Sequence, residues 1–178
     1  MPIQELAMNP SAIHEAGHVM VLLCKQIKVL AVVRKDNGQY CVRSTIAPYE
    51  VPPSTMIFVK IAGKVAVEIQ NEKCGCQHDT GYDGSDENSD GKCIDKINKY
   101  LIEFGVAHGT IGVTHDKFEA CVRAFLVEKW LTVQAIANKI EQVTIKNGSD
   151  LSAMDIGAVI ASTDPEFFAQ AKNYLDGR

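Results

Sequence analysis

The feature that most constrains this chain is the pentapeptide His14-Glu15-Ala16-Gly17-His18, which has the form H-E-x-x-H. On a helix, side chains four residues apart lie on one face, so both imidazoles could bind one zinc ion. Glu15 lies beside that face, where it could take a proton from a zinc-bound water. A helix through these five residues therefore predicts a catalytic metal centre.

The sequence around the pentapeptide favours such a helix over residues 10–26. Asn9 is a good N-cap, and Pro10 suits the first helical position. Apolar residues recur at helical spacing and can face a core. They are Ile13, Ala16, Met20 and Leu23. The alternative is an ordinary amphipathic helix with two surface histidines, and the intact glutamate argues against it.

The length and charge of the chain limit the classes of protein to which it can belong. Its 178 residues predict a single domain spanning residues 1–178. A net charge of −4 without a basic cluster argues against nucleic-acid binding. No apolar run reaches membrane-spanning length, and the first nine residues do not resemble a secretory signal. We therefore expect no membrane partner, a cytoplasmic location and reduced cysteines.

The remaining sequence predicts a mainly α fold with one small β-hairpin. The turn Asp36-Asn37-Gly38 should join strands over 29–34 and 40–46. Ser54 should cap a helix over about 55–71, residues 73–89 should be a long loop, and residues 105–112 should be a loop or a short strand. Further helices are predicted over about 89–104 and 115–141, then from a cap at Asp150 to about 161, and from Asp164-Pro165 to about 175.

Cys74, Cys76 and His78 form a second cluster of residues that could bind a metal or undergo redox chemistry. The C-x-C spacing is not the usual C-x-x-C, and no second pair follows it. We expect free thiols in a loop, and a second metal here is left open.

A catalytic zinc ion normally takes three protein ligands and leaves a position for water. The extended pattern H-E-x-x-H-x-x-G-x-x-H does not supply the third ligand, because Val21 and Cys24 stand where it needs Gly and His. Cys24 should instead pack in the core. Glu68 or Glu72 from another helix, or an aspartate near residue 90, could complete the site.

The chain resembles the protease domain of FtsH-type ATP-dependent zinc metalloproteases over about residues 10–160. That family has H-E-A-G-H, then a strand pair, then a helix with G-G-R-A-A-E-E, where this chain has Ala62-Gly63-Lys64-Val65-Ala66-Val67-Glu68. A Gly-rich loop follows in the family, ending in an aspartate that opens a helix, as residues 84–90 do here. The resemblance implies a zinc metallopeptidase with an aspartate as third ligand and Glu15 as general base.

Asp90 fits the position of that aspartate better than Asp86. Counted from Asp90, the apolar residues Ile94, Ile97 and Leu101 fall at i+4, i+7 and i+11, on one stripe of the following helix. A helix cap without metal is the alternative role for Asp90. Residues 86–91 also match the start of a calcium loop, but Ile97 stands where that loop needs a glutamate.

We therefore expect a zinc metallopeptidase that hydrolyses flexible peptides or unfolded proteins, with Zn²⁺ on His14, His18 and Asp90. The phosphate-binding motif G-x-x-x-x-G-K-[ST] of the family's ATPase module is absent from these 178 residues. The edge of the hairpin could align an extended substrate. Either a homo-oligomer or a separate ATPase partner is compatible with the sequence, as is a non-enzymatic, metal-containing binding or regulatory domain.

Overall fold

A computed structural model of the chain describes residues 8–45, 51–80, 90–103, 115–147 and 150–174. The fold is mainly helical with one small antiparallel sheet, as the sequence predicts. Its elements are α1 (Pro10–Cys24), β1 (Val29–Arg34), β2 (Tyr40–Ser44), α2 (Pro53–Cys74), α3 (Asp90–Glu103), α4 (His115–Glu128), α5 (Trp130–Asn147), β3 (Leu151–Ser152), α6 (Ala153–Thr163) and α7 (Phe167–Tyr174). None of the helices in these ranges is both long and apolar enough to cross a membrane.

Helix α1 is the centre of the fold. The Asn9 side chain accepts a hydrogen bond from the backbone N–H of Ser11, and Pro10 begins the helix, so the predicted start is confirmed. Most of α1 is buried, which is typical of a helix that is apolar on nearly all sides. It contacts α2, α5 and the hairpin, so the H-E-x-x-H residues are surrounded by other elements.

Helices α1 and α2 approach closely at Gly17. A Cβ atom on Gly17 would lie 2.6 Å from the backbone oxygen of Ala62 and 2.8 Å from the Cβ of Ala66. Only a glycine leaves room for backbone at that distance. The small residues of both helices therefore bring α2 against the face that carries the two histidines.

The sheet has the strand order β2-β1-β3, with both pairings antiparallel. The predicted hairpin is confirmed, with a turn at residues 36–38 and Val32 paired with Val42. The short strand β3 was not predicted. It adds Leu151 and Ser152 to the other side of β1, so β2 is an edge strand of this sheet.

Several predicted helix boundaries are wrong; α5 ends at Asn147 rather than at about residue 141, and α7 begins at Phe167 rather than at Asp164-Pro165. Pro53 is the first residue of α2, so Ser54 lies inside that helix rather than capping it. Ser152, not Asp150, caps α6, in a reciprocal capping box with Asp155. The predicted long helix is divided at Lys129, whose ammonium group is buried and binds Asp164 Oδ2 at 2.8 Å.

Candidate metal centre

Three acidic or imidazole side chains converge between α1 and α3. His14 and His18 lie one turn apart on α1, and Asp90 is the first residue of α3. Oδ2 of Asp90 lies 3.0 Å from Nε2 of each histidine, and the two Nε2 atoms lie 2.9 Å apart. The structure therefore brings together the three residues that the sequence predicts as metal ligands.

The hydrogen bonds of the histidines make their Nε2 atoms available as ligands. Nδ1 of His14 lies 2.8 Å from the backbone oxygen of Thr80, and Nδ1 of His18 lies 2.7 Å from the backbone oxygen of Val59. A carbonyl oxygen only accepts, so each Nδ1 must donate a proton. In a neutral imidazole Nε2 then carries a lone pair, which is the arrangement found in histidines that bind metals.

The charges of the site suit a cation. Burial alone would raise the pKa of Asp90, but His18, His14 and Lys60 together lower it far below its ordinary value. Burial lowers the pKa of His18, and the neighbouring carboxylate outweighs this effect and raises it overall. The carboxylate is therefore ionised, and it stabilises positive charge at the point where the two Nε2 atoms meet, whether a proton or a metal ion supplies that charge.

The three ligand atoms fit a zinc ion in chemistry and in spacing. Two imidazole nitrogens and one carboxylate oxygen form a common catalytic zinc set that leaves a fourth position open. Ligands of a tetrahedral zinc ion lie about 3.3–3.6 Å from one another, given bonds of ~2.0–2.2 Å. The observed separations of 2.9–3.0 Å need to widen by only a few tenths of an ångström.

One turn of α2 supports all three candidate ligands. The backbone oxygen of Val59 holds His18, and the ammonium group of Lys60 lies 3.0 Å from Oδ1 of Asp90. The ring of His14 lies against Gly63, where a Cβ atom would be 2.5 Å from both Cε1 and Nε2 of the imidazole. These roles of Val59, Lys60 and Gly63 were not predicted from the sequence. An isolated glycine inside a helix was the available signal for Gly63.

Glu15 lies beside the two histidines and is buried. One of its carboxylate oxygens lies within 4.8 Å of a ring nitrogen of each histidine. Its Oε2 accepts a hydrogen bond of 2.9 Å from the backbone N–H of Val42. The strand β2 therefore fixes the orientation of the carboxylate.

The same contact limits the role that was expected for the hairpin edge. Besides the bond from Val42 to Glu15, the N–H of Tyr40 donates to Oγ of Ser11 at 3.2 Å. These two N–H groups of β2 thus face α1. A substrate strand could pair with them only if both α1 side chains released them.

The alternative third ligands, Glu68 and Glu72, form ion pairs away from the two histidines. Both carboxylates bind the guanidinium group of Arg123 on α4, and Glu68 also lies 3.5 Å from Nζ of Lys64. They form an ion-pair network between α2 and α4. The other alternative, Asp86, and the rest of the calcium-loop match before Asp90 lie outside the described residues.

The cysteines differ from the expectation in one respect. Cys74 and Cys76 are joined by a disulfide, whereas free thiols were expected. Gly75 ends α2 in the left-handed conformation with a φ of 69°, and the resulting turn brings the two sulfurs together. Cys24 is buried and its thiol donates to the backbone oxygen of Ala171 at 3.1 Å, so its predicted packing role is confirmed.

Comparisons of the chain with models of protein families, with curated proteins and with solved structures find no match.

Proposed function

We propose that this chain is a zinc-dependent metallopeptidase whose ion is held by His14, His18 and Asp90. The observation that carries the proposal is the convergence of three ligand atoms within 3.0 Å of one another. Two of them are Nε2 atoms whose rings each donate Nδ1–H to a backbone carbonyl. Three facing acceptors repel one another unless a proton or a metal ion lies between them.

Glu15 is the general base of this proposal. When bound, zinc would supply a water of lowered pKa and polarise the carbonyl of the scissile bond. Glu15 would take the proton of the attacking water and pass it to the leaving amine. Its distance of at most 4.8 Å from the histidine nitrogens puts its carboxylate within reach of a water on an ion bound by those nitrogens. A metal site with a purely structural role has no need of a carboxylate there.

The order of elements supports kinship with the FtsH-type protease domain. The H-E-A-G-H helix is followed by a hairpin, by a helix with a glycine against the first histidine, and by an aspartate that opens α3. Unstructured peptides are the substrates that we propose, because no phosphate-binding motif of an unfolding motor occurs in these 178 residues.

The first experiment tests the ligands. Zinc content and affinity are measured for the parent, for Asp90→Asn and for Asp95→Asn, which changes an exposed aspartate of the same helix. We expect Asp90→Asn alone to weaken binding, because it removes a ligand charge. Equal affinity in all three would refute the assignment, and a loss in Asp86→Asn instead would transfer the role to Asp86.

The second experiment tests the base. Glu15→Gln should retain zinc but lower the turnover of a fluorogenic peptide library about 100- to 10,000-fold, or roughly 3 to 5 kcal/mol of barrier. Glu128→Gln, a change at an exposed glutamate of α4, should cleave like the parent. If Glu15→Gln cleaves equally well, the activity comes from elsewhere. If zinc-loaded parent cleaves no peptide, a non-enzymatic binding domain becomes the better reading.

A further inference from the structure

We propose that residues 74–78 form a second metal site, which in its dithiol form binds a thiophilic divalent cation such as Zn²⁺ through Cys74, Cys76 and His78. None of these residues belongs to the centre formed by His14, His18 and Asp90. The inference therefore stands whether or not the proposed function does.

The ligand set is the first observation. Both cysteine sulfurs and one ring nitrogen of His78 lie within 4.8 Å of one another. Two thiolates and an imidazole are ligands that zinc takes in many protein sites, and a fourth position can be filled by water. Soft thiolates also select such ions over Mg²⁺ or Ca²⁺.

An unsatisfied histidine nitrogen is the second observation. Nε2 of His78 is buried and has no hydrogen-bond partner among the described residues. Buried polar atoms in folded proteins nearly always have a partner, so each exception needs an explanation. A metal ion bound by His78 provides one.

The third observation is that a single residue holds the backbone of this segment. The backbone oxygen of Asn71 accepts hydrogen bonds from the N–H groups of Gly75 and Cys76. Its side chain donates to the backbone oxygen of His78 at 2.9 Å and accepts from the N–H of His78 at 3.0 Å. The C-x-C-x-H segment is thus folded back on the end of α2 with its ligands on one side.

The disulfide between Cys74 and Cys76 is the oxidised form of the same site. It closes a loop with a single intervening residue, and such short loops gain the least stability from a cross-link. A dithiol reductant would transfer two electrons and two protons to the disulfide, giving two thiols and its own cyclic disulfide. Binding of the metal ion then displaces the two thiol protons.

The segment also contacts the first centre. Two residues after His78, the backbone oxygen of Thr80 accepts the hydrogen bond from Nδ1 of His14. An ion bound by residues 74–78 would therefore fix the segment that orients His14.

Cobalt substitution distinguishes the two centres, because only a thiolate ligand gives an intense near-ultraviolet charge-transfer band with Co²⁺. The full chain, free of purification tags, is reduced with a dithiol, stripped of metal and titrated with Co²⁺ without oxygen. We expect two ions per chain and the thiolate band. Cys76→Ser should lose the band and one ion, whereas the double variant His14→Ala/His18→Ala should lose one ion and keep the band.

Cys121→Ser, which removes an exposed free cysteine, is the matched control and should keep both ions and the band. The proposal is overturned if the reduced parent shows no thiolate band, if Cys76→Ser keeps it, or if Cys121→Ser loses it. A measurement on the parent alone covers the case in which Cys76→Ser does not fold. Zn²⁺ should slow alkylation of Cys74 and Cys76 but not of Cys121, and rates at Cys74 and Cys76 that do not change when Zn²⁺ is added would also overturn the proposal.

Discussion

Replacing Gly63 by alanine should weaken zinc binding without removing any ligand. The new Cβ would lie 2.5 Å from both Cε1 and Nε2 of His14, whereas carbon atoms in contact normally lie about 3.5–4.0 Å apart. The imidazole must therefore move by about 1 Å. Metal sites tolerate deviations of only about 0.2 Å in ligand distance, so the displaced Nε2 can no longer bind with the other two ligands.

The expected loss is at least about 100-fold in zinc affinity, the upper end of the range for changes that misorient a metal ligand, which corresponds to ~2.8 kcal/mol. The stability of the metal-free protein should change less. Overpacking lowers the free energy of unfolding by about 1–3 kcal/mol, and the higher helix propensity of alanine offsets up to ~1 kcal/mol of this loss. Affinity is measured by competition with a chromophoric chelator, and stability by urea unfolding of the metal-free protein.

Gly157→Ala is the matched control, because Gly157 also lies inside a helix but has nothing within 4 Å of its would-be Cβ. It should stabilise the fold by up to about 1 kcal/mol and leave zinc affinity unchanged. If Gly63→Ala folds and binds zinc as tightly as the parent, His14 does not bind the ion from its observed position, and our account of the centre fails.

Three other predictions concern charged groups. Lys60→Met should weaken zinc binding about 10-fold, because the carboxylate of Asp90 loses the ammonium group that orients it. The same change removes a positive charge that repels the ion, which is the smaller, opposing effect. Chelator competition measures the zinc affinity. Asp164→Ala should destabilise the fold by about 3 kcal/mol in urea because it removes the nearer of two carboxylates that pair with the buried ammonium of Lys129, the other being Glu128 at 3.8 Å; Lys129→Met should cost less, and the reverse order would contradict this reasoning. Hydrogen bonds from Ser152 lower the pKa of Asp155, so its contribution is fully present above the ordinary value of ~3.9 and is lost as the pH falls through the lower folded value. Parent and Asp155→Asn should therefore differ in unfolding free energy at neutral pH and converge in acid.

Structural features that are determined by a few neighbouring residues could be predicted from the sequence. Asn9 and Pro10 marked the start of α1, and the Asp36-Asn37-Gly38 turn marked the hairpin. Asp90 was placed at the start of a helix by counting apolar residues after it, and α3 begins there. These signals act over a few residues, so they do not depend on the rest of the fold.

Features set by tertiary contacts could not be predicted. The division between α4 and α5 has no glycine or proline to mark it, and it coincides with the ion pair of Lys129 with a residue more than thirty positions later. The two-residue strand β3 exists only because β1 is beside it. The groups that orient the histidines are backbone oxygens of Val59 and Thr80, and a backbone oxygen has the same chemistry at every residue.

The support of the candidate centre by one turn of α2 has a mechanical consequence. Val59, Lys60 and Gly63 act on three different ligands, and all three belong to the same rigid helix. A rotation of about 10° around the helix axis moves a backbone atom, at a radius of ~2.3 Å, by about 0.4 Å, and a side-chain atom at ~5–6 Å by about 1 Å. An ion held by α1 and α3 would therefore fix the rotation of α2. Conversely, a small rotation of α2 would displace all three ligands together and change the affinity of the site for the ion.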